Sequence, residues 1–341
     1  MQIDRASCLV VFGLLVCGTS PVKAGSYSFA PIGPPTTPNS DTAAFGINNS
    51  GQVVGQVISL TTGVFSGFLY SGGVYIPIDD PNGSVNGAFG TVPVAINGAG
   101  QIVGTYVDSN VNVHAFLYSG GTYQTLIPPS MPGVTIANSG AGSINDKGQI
   151  LLAAVDTNGN AYNYLYASGQ YTLLTALSTL GPSAYANCIN DAETIVGFST
   201  DSQGVNHGFL LQSGKITTLD DPNGGPPPFP QPFAMYGTQA NAINNTGEVV
   251  GFYNDMNSLA HGFVYQDGDF TTVDDPLGAN GTFLYGINDQ GQLAGYYLDA
   301  NFTAHAFVAT PTVPEPGSLT LVAVAGLAAT GWHLKKGRAT V

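Results

Sequence analysis

Ile47-Asn48-Asn49-Ser50-Gly51-Gln52-Val53-Val54-Gly55 is the stretch that decides how this chain is read. Versions of it open again at Ile96, Ile144, Ile189, Ile243 and Ile287. The shared Asn falls at 48, 97, 145, 190, 244 and 288, giving spacings of 49, 48, 45, 54 and 44 residues. A self-similar period of that size marks an array of four-stranded units, a propeller or a solenoid. An Asn opening a tight turn hydrogen-bonds backbone two residues on, and Gly three residues after it supplies the positive φ of a bulged hairpin. Glu193 takes the Gly slot in the fourth copy, so that turn is expected to be looser or strained. The third copy places Leu152 where others have a second Gly, as at Gly55.

Outward from this stretch, each unit holds four short runs. The first ends in Ile-Asn; the second resembles Gln52-Val53-Val54-Gly55; the third resembles His261-Gly262-Phe263-Val264-Tyr265; the fourth resembles Phe270-Thr271-Thr272-Val273. All are β-branched or aromatic and bounded by Gly, Asn or Asp, the strand signature. No sustained helical period interrupts residues 25–312. The residue two before each Asn is small (Gly46, Ala95, Ser143, Cys188, Ala242, Gly286), which points to a crowded innermost strand. Cys188 is then read as packing rather than as a reactive thiol.

The ends of the array argue for closure. The last unit stops after His305-Ala306-Phe307-Val308 and lacks a fourth run, while Tyr27-Ser28-Phe29-Ala30-Pro31-Ile32 stands alone before the first. An orphan strand at one end and a missing one at the other fit a ring latched by the N-terminal strand, which removes open edges. The expected fold is all-β, a six-bladed β-propeller of four-stranded blades over residues 25–310.

Charge excludes one class of function. Of the 21 acidic residues, 19 lie in this body, against Lys147 and Lys215 alone. Such a surface repels phosphate backbones, which bind through Lys and Arg by counterion release, so nucleic acid is excluded as a partner. Of three Cys, Cys8 and Cys17 precede the body, leaving no disulfide framework.

The flanking segments read as addresses. Arg5, an apolar run from Leu9 to Val16, and Val22-Lys23-Ala24 form a secretory signal peptide over residues 1–24. Residues 311–341 carry Pro314, Glu315 and Pro316, then an apolar run from Ser318 to Leu334, then Lys335-Lys336-Gly337-Arg338. That run is just long enough for a single membrane-spanning helix, with the basic tail held on the cytoplasmic side. The arrangement resembles the PEP-CTERM sorting signal of Gram-negative bacteria that make exopolysaccharide. The resemblance implies an exosortase-type partner, with cleavage near the tripeptide. The repeats resemble the HAF-type extracellular repeat family, through Ile-Asn-x-x-Gly-x-x-x-Gly and the His-Gly/Ala-Phe element at His114, His207, His261 and His305. Ser66 and Asn163 are read as departures in the His slot. That family is defined by repeat and export, so it implies little about activity.

Several constellations bear weighing. The four repeated His are expected to be structural, too widely separated to share a metal. Asp79-Asp80-Pro81, Asp220-Asp221-Pro222 and Asp274-Asp275-Pro276 suit turns before Pro, and Ca²⁺ coordination by these paired carboxylates is the weaker alternative. No nucleophile elbow, His-Glu-x-x-His, Walker loop or Cys-x-x-Cys occurs, and no catalytic or cofactor-binding residue is assigned. The expected function is that of an exported binding or structural protein, not an enzyme, in the cell envelope or exopolysaccharide matrix. It would be held transiently in the inner membrane by the C-terminal helix. The alternative is a propeller glycoside hydrolase or polysaccharide lyase acting on extracellular polysaccharide. Non-repeating acids and aromatics gathered at one mouth of the channel would favour a ligand. Function is expected where the repeat breaks, at Glu193, Leu152, Asn163 and the Pro-rich insert Gly224–Pro232.

Overall fold

The computed structural model describes residues 26–33, 39–83, 90–225 and 236–312. The expected signal peptide, Pro314, Glu315, Pro316, the apolar run beyond them and most of the Pro-rich insert lie outside the described residues. Among the described residues, no helix is long and apolar enough to cross a membrane.

The strands fall into one compact unit, Tyr27–Pro311. β1 (Tyr27–Pro31) comes first and is paired last. β2 (Ser40–Ile47), β3 (Val53–Ser59), β4 (Phe65–Ser71) and β5 (Val74–Pro77) form one four-stranded antiparallel sheet in chain order. β6 (Thr91–Ile96), β7 (Ile102–Val107), β8 (Val113–Ser119) and β9 (Thr122–Leu126) form the next. β10 (Ile136–Ile144), β11 (Ile150–Asp156), β12 (Ala161–Ala167) and β13 (Gln170–Leu173) form a third, followed by a 3-10 turn at Thr175–Leu180. β14 (Ala184–Ile189), β15 (Ile195–Thr200), β16 (Val205–Gln212) and β17 (Lys215–Leu219) repeat the pattern. So do β18 (Tyr236–Ile243), β19 (Val249–Asn254), β20 (Ala260–Gln266) and β21 (Asp269–Thr272). These two groups join into one eight-stranded sheet through a short parallel contact of Val205-Asn206 with Tyr236-Gly237. β22 (Thr282–Ile287), β23 (Leu293–Leu298) and β24 (Ala304–Pro311) lack a fourth strand of their own. β1 supplies it, pairing antiparallel with β24 from Tyr27↔Pro311 to Pro31↔Phe307.

The Ile-Asn turn has the same build in every copy. Asn48 accepts the Gly51 N–H on its main-chain oxygen at 3.0 Å, and its own N–H donates to Gln52 O at 3.0 Å. Gly51 sits at φ +72°. Glu193 adopts φ +60° in the fourth copy and keeps the same bond to Asn190 O at 3.0 Å. The turn is thus strained rather than loosened, because a side chain in the left-handed region crowds its own carbonyl.

The second Gly has a different cause. Every first strand carries a β-bulge just before its Ile-Asn, between Ala44 and Gly46 in the first copy. Opposite the bulge a carbonyl presses on the second strand. A Cβ on Gly55 would lie 2.0 Å from Ala43 O, and one on Gly251 would lie 1.9 Å from Gln239 O. Leu152 faces Ala141 at the equivalent register, and there Gly140 and Gly142 stand in the bulged strand instead.

Packing runs from each group of strands to the next. Val54 and Ile78 bury against Ile102 and Phe116, Leu151 against Phe209, and Val196 and Leu219 against Phe263. The last group closes on the first, where Ile32, Ala294 and Ala306 share a cluster with Ala44, Ile47 and Val53. The small-residue position is crowded as expected: a Cβ on Gly46 would meet Val94 O at 2.8 Å. Cys188 packs between two such clusters, and burial raises its thiol pKa, which disfavours the reactive thiolate.

Candidate functional site

The six Asn of the opening motif meet in one circle. Asn48 Nδ2 donates to Asn97 O at 3.0 Å, Asn97 to Asn145 O at 3.2 Å, and Asn145 to Asn190 O at 3.1 Å. Asn190 Nδ2 donates to Asn244 O at 3.0 Å, Asn244 to Asn288 O at 3.1 Å, and Asn288 back to Asn48 O at 3.1 Å. All six bonds are buried, so each amide ties two repeats together with little competition from water.

A second circle lies outside it, made by the residue after each Asn. Asp146, Asp191, Asn245, Asp289 and Asn49 each accept, on Oδ1, the N–H of the equivalent residue one repeat earlier. The distances run from 2.6 Å for Gly98 N–H on Asp146 to 3.0 Å for Asp146 N–H on Asp191. Gly98 has no side chain to accept, and the circle is open there. Three carboxylates, Asp146, Asp191 and Asp289, therefore rim one end of the unit.

Inside the rim is a cavity of about 290 Å³ lined from all six repeats. Its wall is built by the bulges. The unpaired residue of each bulge is Phe45, Val94, Gly142, Asn187, Asn241 or Tyr285, and all six line the cavity. A bulge leaves one extra residue out of the ladder and re-aims its side chain. This position does not repeat chemically, unlike its neighbours. Tyr285 and Phe45 stand edge to face at 5.3 Å. Tyr296 stacks behind Tyr285 at 5.8 Å, and burial with the adjacent Tyr296 holds the Tyr285 phenol well above its usual pKa. Asn187 Nδ2 donates to Ala240 O at 3.0 Å and to Asn241 Oδ1 at 3.3 Å, while Asn241 Nδ2 donates to Leu284 O at 2.8 Å. Among the described residues, no Lys, Arg or His lines the cavity.

The opposite end collects the His and Asp-Asp-Pro motifs, which the sequence kept apart. His207 lies between Asp220 (Nδ1···Oδ2 2.9 Å) and Asp201 (Nε2···Oδ2 3.5 Å). His261 bonds Asp274 Oδ2 at 2.7 Å and faces Asp255 at 3.8 Å. His114 and His305 bond Asp108 and Asp299 at 2.9 Å and 3.2 Å. Tyr106, Tyr253 and Tyr297 stack on His114, His261 and His305. Donating to the Asp220 carboxylate raises the His207 pKa, and accepting from His114 lowers the Asp108 pKa. Each His is held within its own repeat.

In the Asp-Asp-Pro turns, the first Asp serves its own sheet: Asp79 and Asp274 accept the Gly67 and Gly262 N–H groups at 3.2 Å. The second Asp is buried and caps the turn. Asp80, Asp221 and Asp275 each accept at 2.8 Å from the N–H two residues on. Burial raises the pKa of Asp221 and Asp275. Asp80 Oδ2 and Asp221 Oδ2 are buried without a protein partner. Among the described residues, no group of three or more His, Cys, Asp or Glu is placed to hold a metal ion.

One assignment is corrected. Tyr162, not Asn163, takes the His slot of the third repeat, since Ala154↔Tyr162 matches Tyr106↔His114 in register. Tyr162 OH reaches Asp156 Oδ2 at 3.3 Å, as a His would. Asn163 instead bridges to the next group, donating to Ala184 O at 2.8 Å and accepting Ala186 N–H at 2.9 Å. Nor do Glu193, Leu152 and Asn163 line the six-repeat cavity: Leu152 is core, Asn163 a tie, Glu193 a turn residue. The bulge position was the missing signal: it lies three residues before each Asn, and its chemistry changes from copy to copy.

No family model matches the chain, and no curated protein matches it. Among solved structures it is similar to a Trypanosoma rangeli sialidase complex, with TM-score 0.51 and 8% identity over 79% of this chain. That match spans 53% of the sialidase, about half its length. It is also similar to AofleA from Arthrobotrys oligospora, with TM-score 0.48 and 13% identity over 83% of this chain and 86% of that one. The fucose-specific lectin from Aleuria aurantia gives TM-score 0.46 and 12% identity, covering 82% and 98% of the two chains. The fold is that of a β-propeller.

Proposed function

We propose that the unit is a six-bladed propeller, closed by β1, that acts as an exported, non-enzymatic carbohydrate-binding protein of the cell envelope or exopolysaccharide matrix. One observation carries the reading: the repeat abandons its repeating chemistry at the cavity wall, where aromatic and amide side chains converge. Scaffold duty alone asks for no such variation, since the Asn circle and the bulge are built from main chain and Asn. An apolar-walled pocket with a few convergent polar groups is the usual form of a small-ligand site. The rim carboxylates argue for binding over hydrolysis, because Asp146, Asp191 and Asp289 each repeat the same structural bond to a neighbouring N–H. A retaining or inverting pair would instead need two carboxyl groups in different environments. The signal peptide and PEP-CTERM resemblance support export and handling by an exosortase-type enzyme.

The test is retention of the purified protein on isolated exopolysaccharide. Saturable binding with no new reducing ends is expected. Release of oligosaccharides, abolished by substituting an acidic pair, would replace this reading with the hydrolase or lyase.

A further inference from the structure

The cavity wall also says which sugars it takes. Its amide nitrogens are largely committed: Asn187 Nδ2 donates to Ala240 O and Asn241 Oδ1, and Asn241 Nδ2 donates to Leu284 O, keeping one N–H. The hydrogen-bond network fixes these amide orientations, so two acceptor oxygens against one Asn241 N–H remain for a ligand. Asn187 Oδ1 accepts no donor from any described residue, and Asn241 Oδ1 takes only the 3.3 Å bond from Asn187. Acceptors call for ligand donors, and sugar hydroxyls or an ammonium provide them. A carboxylate or sulfate provides none, and would find one amide N–H and no lining Lys, Arg or His beyond a rim of three like charges.

The wall is also two-sided. Tyr285, Phe45 and Val94 adjoin one another around it and offer apolar surface; Asn187 and Asn241 offer oxygen from the other side; Gly142 leaves the space between. A pyranose has that duality, with C–H faces and O–H edges. The volume of about 290 Å³ is at the small end for ligand pockets, fitting one ring rather than a threaded chain.

We infer that the cavity captures the non-anionic end of a glycan, a single terminal neutral or amino sugar, and rejects uronate and sulfated ends. This rests on the carbohydrate-binding reading and adds a site and a charge rule to it. The test is calorimetric titration of the purified protein with three oligosaccharide sets of equal length, ending in a neutral hexose, an amino hexose or a uronate. Binding of the first two, and none of the third, is expected. Asn187→Ala should weaken it about tenfold, the loss of one hydrogen bond. Val94→Trp should abolish it, with circular dichroism and melting confirming the fold. The triple change Asp146→Asn, Asp191→Asn, Asp289→Asn keeps every Oδ1 acceptor while removing the rim charge, and should admit uronate ends; this gain requires a folded protein. Uronate binding by the unchanged protein, or sugar binding indifferent to both Asn187→Ala and Val94→Trp, overturns the inference and leaves glycan binding standing. No binding of any set overturns both.

Discussion

Replacing Asn48 by Ala tests whether the Asn circle is a structural clasp. The change removes four hydrogen bonds: Oδ1 from the Ser50 and Gln52 N–H groups at 3.0 Å each, and Nδ2 to Gln52 Oε1 at 2.8 Å and Asn97 O at 3.0 Å. Three of these ends lie near solvent and recover water. The fourth, Asn97 O, loses a buried donor and has little access to a replacement. At about 0.5–1.5 kcal/mol per net bond, with the buried end near the top of the range, the cost is about 3 kcal/mol. For a domain of this size that corresponds to a fall in Tm of roughly 5 °C. The bond from Asn288 Nδ2 to Asn48 O uses main chain on the Asn48 side and survives. Asn48→Asp separates the two halves of the clasp. It retains both acceptor bonds, loses both donor bonds, and sets a carboxylate oxygen against the Asn97 carbonyl. It should cost at least as much as Ala at pH 7 and recover in acid, once the carboxyl can donate. Thermal and urea unfolding read both variants. A loss below about 0.5 kcal/mol for Asn48→Ala, or an Asn48→Asp variant as stable as the unchanged protein at neutral pH, would refute the clasp.

Four further outcomes are expected. Glu193→Gly relieves a side chain held at φ +60° and should raise stability by about 1 kcal/mol, read as a higher urea midpoint; a lower midpoint would show the exposed Gln149–Glu193 bond to matter more. Deleting residues 25–33 removes β1, the buried Ile32 and the Phe29–Phe307 contact, so β24 amides should exchange faster and melting should fall; unchanged melting would sink the latch. Burial raises the Asp221 pKa, so this carboxyl disfavours folding above its folded value and the penalty fades as pH drops toward the ordinary carboxylate range; Asp221→Asn should therefore gain on the unchanged protein as pH rises, seen in melts across pH 4–8. His207 has the opposite linkage: its raised pKa stabilises the fold below about 6.5 and the benefit is lost as pH climbs through the folded value. Asp220→Asn should move its NMR titration downward, and an unmoved titration would exclude the 2.9 Å contact as the cause.

Strands, turns and the orphan first strand were readable because each has a local chemical cause that recurs. Asn-x-x-Gly specifies a turn wherever it stands, and six copies average out the exceptions. The bulge was illegible for the opposite reason. Nothing in Phe45, Val94, Gly142, Asn187, Asn241 or Tyr285 marks an unpaired residue; in five copies the mark is the Gly on the facing strand, and its cause, a carbonyl about 2 Å from any added Cβ, exists only after folding. The His and Asp-Asp-Pro motifs looked independent because up to 13 residues separate His207 from Asp220, yet antiparallel pairing of β16 with β17 brings them to 2.9 Å. Tyr162 was missed because its role in the third repeat is set by register, not by residue type.

The same geometry explains how a repeat could acquire a site without losing its fold. The clasp uses Asn side chains and main-chain carbonyls, and the bulge uses a Gly on the neighbouring strand in five copies of six, so neither depends on the bulged side chain. That side chain is therefore free to change, and it is the one that faces the cavity. Variation concentrates where neither clasp nor bulge dictates the side chain and six copies converge, so each repeat contributes one choice to a shared wall, Asn187 and Asn241 adding ties of their own. Blade-to-blade differences elsewhere lack this convergence: a changed tip or a strained turn meets only solvent or its own sheet. The opening motif thus fixes the cavity by position while contributing only the frame, and the chemistry of its wall is set by six residues standing three places before its Asn.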